Sequence, residues 1–389
     1  MEDKYINKKA NNWLEKIAKE HTEAENELLS RAANTLLGNI LEGEDLPWYP
    51  RRCIVPGLRY FRGIWNWDTA FHAMGVRHWD IELAKECIEG FIQFQCEDGM
   101  FPDVIFETGR IAQRSAKPPV LPWAAELICR EEMDIEFIKR VYPRFAANEK
   151  FWTERRCYNG LFYYDAGEPE KELYERYIRY ESGWDDSVRW DKPILELWPI
   201  DLNCFMVMFY RAMKYFSEQL ELKQDAAKWA EKEAKLVKLI NEELWDDVQK
   251  CYVDVNRFTK EKSDVLSPAS FMPLYVQIAS KDRAECMNAL ACDRNKFYSG
   301  MPTVAYDHPE HSDGYWRGRT WLNVAYFAAK GLKNYGFPVG DEIKATILGW
   351  CEKYKEAIHE NYNSVTGAPM GHENFSWSAA FVIEFILEW

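Results

Sequence analysis

Four short stretches of the 389-residue chain set tryptophan or tyrosine beside charged side chains: GIWNWDTAF (63–71), ESGWDDSVRWD (181–191), DGYWRGRTW (313–321) and GHENFSWSAA (371–380). Flat apolar faces suit the C–H patches of a sugar ring and carboxylates suit its hydroxyls, so this combination favours a carbohydrate ligand. A single tryptophan is more often core than platform, and Trp13, Trp152, Trp229 and Trp245 read as core. Stretches spread from residue 63 to residue 380 can share one site only if the elements between them close into a ring.

Cleavage of a glycosidic bond needs two carboxyls, one protonated to give its proton to the leaving oxygen and one ionised to activate water or attack the anomeric carbon. Asp185 and Glu373 are the candidates. Asp185 follows Gly183 and Trp184, so a tight turn and an aromatic wall are expected to desolvate it and raise its pKa, with Asp186 and Glu181 adding to the effect. Its bland alternative is a solvated acidic turn. Glu373, between His372 and Asn374, is placed at the start of the last helix, where the helix N-terminus favours the charged form and hence a base. An ordinary capping glutamate is its alternative, which Trp377 one turn later weighs against.

The elements that must position these residues are mostly helical. Ile81 to Gln95 carries Leu83, Cys87, Ile88, Phe91 and Ile92 at helical spacing, with Asp80 as N-cap. Similar periodicity covers about 10–39, 68–78, 122–131, 134–155, 201–220, 225–245, 267–279, 282–291, 318–333, 340–360 and 375–388. Several helices end in a similar polar turn followed by a short extended piece, as in FQCEDGMFPD (94–103), LWDDVQKCYVD (244–254) and ENYNSVTGAPMG (360–371). Stacked helical hairpins follow, as an open solenoid or a closed (α/α)6 toroid, and the looser period favours the closed form. With no linker or composition break, residues 1–389 are expected to form one all-α domain with few short strands in its loops.

Charge and cysteine usage narrow the function classes. There are 49 Lys+Arg against 63 Asp+Glu, a net charge of −14, which disfavours a nucleic-acid partner. No run of about 18 apolar residues suggests a membrane span, and the charged, helical opening MEDKYINKKANNWLEK is unlike a signal peptide. Ten cysteines without a CxxC pair fit reduced thiols in a cytoplasmic protein. His308 and His311 flank Pro309, which breaks the helix that would aim both imidazoles at one ion, so no metal is expected. Phosphate-binding, dinucleotide and serine-hydrolase motifs are missing too, and no cofactor is expected. A small carbohydrate is the expected partner, with homo-oligomerisation left open.

The four motifs resemble, in order and over nearly the whole chain, those of the six-hairpin (α/α)6-barrel glycosidases of glycoside hydrolase families 63 and 37. These include processing α-glucosidases, trehalases and the smaller mannosylglycerate and glucosylglycerate hydrolases. The resemblance implies Asp185 as proton donor and Glu373 as base. It implies Trp65, Trp67 and Asp68 at the nonreducing sugar, and Trp184, Tyr315, Trp316, Gly318 and Trp377 around the pocket, with Arg317 and Arg319 bracing it. The length resembles the compact glycerate-glycoside hydrolases most. Where the family carries Ser-Gln-Pro-Pro, this chain reads Ser115-Ala116-Lys117-Pro118-Pro119, and Lys117 in place of an amide suits an anionic leaving group. The resemblance implies an inverting, exo-acting α-glycoside hydrolase on a small glucoside or mannoside. Loop 103–120 and the stretch from Ser187 to Pro199 would shape its leaving-group side. The competing readings are a sugar 2-epimerase or lyase on the same toroid, with His72 or His372 moving protons, and a catalytically silent sugar-binding protein.

Overall fold

Side-chain caps set where many helices begin. Asp80 accepts the Leu83 N–H at 3.2 Å, Asp134 that of Phe137 at 2.9 Å, and Thr22 with Glu25 forms a reciprocal capping box. The computed structural model describes residues 8–167 and 170–389; the first seven residues of the charged opening stretch lie outside it. Among the described residues are fourteen α-helices: α1 Lys8–Ile17, α2 Glu23–Gly38, α3 Asn66–Val76, α4 Ile81–Ile92, α5 Leu121–Glu131, α6 Ile135–Arg155, α7 Lys171–Ser182, α8 Ile200–Gln219, α9 Lys223–Glu243, α10 Met272–Tyr275, α11 Lys281–Cys292, α12 Leu322–Asn334, α13 Val339–Lys353 and α14 Ser376–Leu387.

The expected stretch 10–39 is thus two helices, because the Thr22 capping box starts a second one. The stretch 267–279 becomes a 3-10 turn, Pro268–Phe271, and the single turn of α10, with Pro268 and Pro273 each unable to donate an N–H. The stretch 340–360 stops at Lys353, and His359–Tyr362 is a strand. Helix α7 is additional.

Alternate elements make an inner ring: α3, α5, α8, the segment Pro268–Tyr275, α12 and α14 each pack on the next, and α14 returns to α3. Outside, α2 covers α14, α4 covers α3, α9 covers α8 and α13 covers α12. Burial separates the layers. Every residue of α3 is buried, as is α14 from Ser376 to Ile386, whereas α9 buries Trp229, Leu236 and Ile240. Helices apolar all round belong inside and amphipathic ones outside. The architecture is a closed (α/α)6 toroid and not an open solenoid.

The axis is filled by aromatic rings. Phe327 of α12 meets Phe71 of α3 (6.4 Å between centroids), Trp123 of α5 (5.8 Å), Phe205 of α8 (5.9 Å), Tyr275 of α10 (4.8 Å) and Phe381 of α14 (5.7 Å).

Among the described residues, six two-stranded antiparallel ribbons lie in the loops. Two of them reach the site described below: Ile64–Trp65 with Val104–Ile105, and His359–Tyr362 with Pro369–Glu373. Among the described residues, no helix is long and apolar enough to cross a membrane. All ten cysteines are free.

Removing the central ring leaves a cavity that five neighbours cannot all collapse into. Phe327→Ala is expected to lower the unfolding free energy by about 3–5 kcal/mol, read as an earlier urea midpoint with the helical circular dichroism of the folded state retained.

Candidate active site

The N-terminal ends of α3 and α14 and the loops before α12 and after α7 meet around a small cavity of about 100 Å³. Trp65, Trp67, Trp316 and Trp377 supply apolar faces; Asp68, Asp185, Glu360, Lys117 and Tyr315 supply polar groups. The indole N–H groups of Trp65 and Trp377 are buried without a protein acceptor among the described residues.

The Ile64–Trp65 strand delivers Trp65 as the residue capping α3, which puts Trp67 and Asp68 in the helix's first turn. Asp68 is fully enclosed. Burial pushes its carboxyl up to about 8, against the nearby charge of Lys117, so at neutral pH it is protonated and can donate a hydrogen bond.

Asp185 follows the αL residue that ends α7. Gly183 has φ +77°, and a Cβ there would stand 2.6 Å from the Trp67 ring, so only glycine lets the turn approach that wall. Burial pushes Asp185 up to about 6, with the charge of Lys117 opposing and Asp103, Asp186 and Glu360 adding. Glu181 is fully buried and receives the Arg156 guanidinium (2.9 Å) and the Ala116 and Asp165 N–H groups, which makes it a structural clamp.

Trp184 lies behind the cavity, packed on Trp316 (5.1 Å) and over the Arg189 guanidinium (4.8 Å). Arg317 also stands outside, bidentate on Asp191 at 2.9 and 2.6 Å. Gly318 backs the loop against Ser312 and His311. These three expected site residues brace the wall. Asp186 joins them by accepting the Trp316 N–H at 2.7 Å.

The second carboxylate in the cavity is Glu360, not Glu373. His359 pairs with Glu373 and Asn361 with Met370, so Gly371 and His372 stand opposite the single residue Glu360. This is a β-bulge, a device that re-aims side chains. Gly371 has φ +67°, and a Cβ on it would lie 2.4 Å from Glu360 Oε2. Glu360 Oε2 instead accepts the His372 N–H at 3.1 Å, and Oε1 accepts the Tyr315 hydroxyl at 2.6 Å. Burial raises the Glu360 pKa, opposed by these two bonds and by the charges of His372 and Arg319.

Glu373 ends the strand, two residues before α14 begins, and Asn374 with φ +54° turns the chain between them. Its side chain is 58% exposed, 3.8 Å from Arg59, and lines a neighbouring cleft with Arg59 and Tyr60. The helix N-terminus expected to hold its charge does not reach it. Glu360 lies in the ENYNSVTG turn, whose acidic residue next to a glycine-containing hairpin was the available signal. Phe61 and Phe375 also line the cavity.

Among the described residues, His78, Glu131 and Glu388 could converge on an ion. Arg77 already sits 3.6 Å from Glu131 and 3.1 Å from Glu388.

Residues 61–378 match the mannosylglycerate hydrolase MGH1-like glycoside hydrolase domain. A mannosylglycerate hydrolase of Thermus thermophilus is 25% identical, over 85% of this chain and 95% of that protein, and one of Rubrobacter radiotolerans is 21% identical over 86% and 92%. The crystal structure of a GH63 mannosylglycerate hydrolase from Thermus thermophilus with Tris and D-glycerate superposes with a TM-score of 0.77 at 22% identity, covering 92% of this chain and 99% of that one. The chain belongs to the MGH1-like glycoside hydrolase family.

Proposed function

We propose that the protein hydrolyses a small α-glucoside or α-mannoside by inversion, with Asp185 as general acid and Glu360 as general base. The observation that carries this reading is that Asp185 and Glu360 share one aromatic-walled cavity with different hydrogen bonding. Burial raises both carboxyls, and Glu360 is held by two donors that favour its charged form. One sugar ring stacks among Trp67, Trp316 and Trp377, and the protonated Asp68 donates to a ring hydroxyl. Glu360 takes a proton from water as its oxygen bonds to the anomeric carbon. The glycosidic bond breaks with its electron pair going to the leaving oxygen, which takes the Asp185 proton.

The names of the relatives point to a glycerate-linked substrate. Loop 103–120, which supplies Lys117, forms the leaving-group side. Ten free thiols fit a reducing, cytoplasmic setting.

Proton NMR of reactions with mannosylglycerate, glucosylglycerate, trehalose and short α-mannosides is expected to show a β-anomer as the first-formed sugar. An α-anomer would mean retention and would remove Glu360 from the role of base.

The acid must be protonated in the free enzyme. Activity, measured as kcat/KM, is therefore expected to fall as pH rises through about 6, the Asp185 value, and to fall at low pH as Glu360 is protonated. A rate still climbing above neutral pH would exclude Asp185 as donor.

Asp185→Asn and Glu360→Gln are each expected to lower kcat by about 10²–10⁴-fold, with the unfolding midpoint kept. Glu373→Gln, on an exposed side chain, is expected to stay within about threefold of the parent rate, well short of that acid–base contribution. The reverse pattern would restore Glu373.

A further inference from the structure

Lys117 is a charged side chain enclosed in the cavity wall, 6% exposed. Its ammonium donates to the Tyr180 carbonyl in the last turn of α7 and lies 3.4 Å from Asp103 Oδ1. Asp103 is anchored in turn, its carbonyl accepting the Asn66 N–H at 2.9 Å where α3 begins. The ammonium is thus fixed where the segments leading into α3 and α5 meet the end of α7, five residues before Asp185. Burial opposes its charge, but Asp103, then Asp185 and Asp68, more than restore it, so it stays a cation.

We propose that Lys117 is a positioning residue for proton donation, its immobile charge setting how readily Asp185 releases its proton and stabilising the carboxylate left behind. This rests on the reading of Asp185 as general acid.

The groups facing Asp185 make the sign unambiguous. Asp103, Asp186 and Glu360 hold its proton on, and Lys117 pulls it off. The phenols of Tyr180 and Tyr315 also face it, and both are pushed up by burial, hence neutral where Asp185 titrates. Lys117 and Asp185 line the same cavity, and an opposite charge within about 4–6 Å moves a carboxyl by about one to three pH units. Without Lys117, Asp185 would remain protonated too far into the alkaline range and yield its proton reluctantly. The cation therefore keeps a desolvated acid usable.

The test is kcat/KM against pH for the parent, Lys117→Gln and Lys117→Arg, on a glycoside the parent hydrolyses. The descending limb is expected to move up by about one unit or more in Lys117→Gln and to stay in place in Lys117→Arg, with the ascending limb unmoved in both. A raised KM with an unmoved limb would make Lys117 a leaving-group contact instead and overturn the proposal. Should Lys117→Gln not fold, the parent itself is titrated: the nitrogen-15 resonance of the Lys117 ammonium is expected to shift through the Asp185 midpoint, and a resonance that does not move there overturns the proposal. Carbon-13 titration of the Asp185 carboxyl, assigned with Asp185→Asn, reads the same shift without turnover. A shifted Asp185 in a protein that cleaves no glycoside would sink the hydrolase reading and leave the charge coupling standing.

Discussion

Closure of the helical ring depends on Phe327, because six inner elements surround an axis that water cannot fill and side chains must. Its ring meets an aromatic side chain from each of the other five, so no inner element can shift without opening a gap in a close-packed interior. The same plug supports the cavity. Phe71, in contact with Phe327, also touches Trp67 at 5.5 Å and Trp377 at 6.1 Å, so two walls of the cavity stand directly on the core. Residues far apart in sequence thereby hold the sub-ångström tolerance that catalysis needs.

The acid turn is held from both sides. Behind it, Arg189 is bidentate on Asp201 (2.9 and 2.7 Å) and on Asp254 (2.8 and 2.9 Å), and lies between the rings of Trp184 and Trp190. Asp201 and Asp254 also accept the Leu202 and Ile200 N–H groups at the start of α8. Burying three charges is costly, and an apolar replacement of the same shape is often no less stable. What the network supplies is direction: it ties the segment after Gly183 to one helix end in one geometry. In front, Asp186 on the Trp316 N–H ties the same turn to the opposite wall. Asp185 lies between these anchors, which explains how a carboxyl can be kept in a desolvated position from which it would otherwise swing to water.

Helices were legible in the chain because caps and 3.6-residue periodicity are local. Asp80, Asp134 and the apolar spacing of α4 needed no tertiary information. The break after Ile17 was legible in principle, since Thr22 and Glu25 spell a capping box, but the continuous apolar spacing masked it. Helix α7 was legible too, since Leu173, Tyr174, Tyr177 and Ile178 fall at helical spacing in KELYERYIRYES, but its many charged residues masked that face. Within the site, the motifs led to Asp185, Trp67 and Asp68 because each sits at a helix end. Glu360 escaped because a bulge decides which way its side chain points, and strand alternation alone puts neighbouring Glu373 on an equal footing. The register pairing His359 with Glu373 but Asn361 with Met370 is a long-range fact, written in Gly371 only for a reader who already knows the hairpin.

The cavity's chemistry follows from which titratable groups reach it. Its lining holds three carboxyls, one ammonium and one phenol, and no histidine. His72 lies one turn beyond Asp68 in α3, fully buried with Nδ1 on the Ile54 carbonyl at 3.0 Å, and burial pulls its pKa down to about 3. His372 turns its ring to Tyr60 and Phe61, at 4.5 and 4.8 Å. Neither imidazole is placed to move a proton on a bound sugar, which takes away the side chains an epimerase reading relies on. Proton traffic falls to carboxyls, and carboxyls of similar intrinsic acidity can serve as acid and base only if their surroundings separate them. Here burial raises both Asp185 and Glu360, and a hydroxyl and a backbone N–H oppose it at Glu360. The separation is built by the turn at Gly183 and the bulge at Gly371, two places where the backbone adopts a left-handed conformation and leaves no room for a side chain.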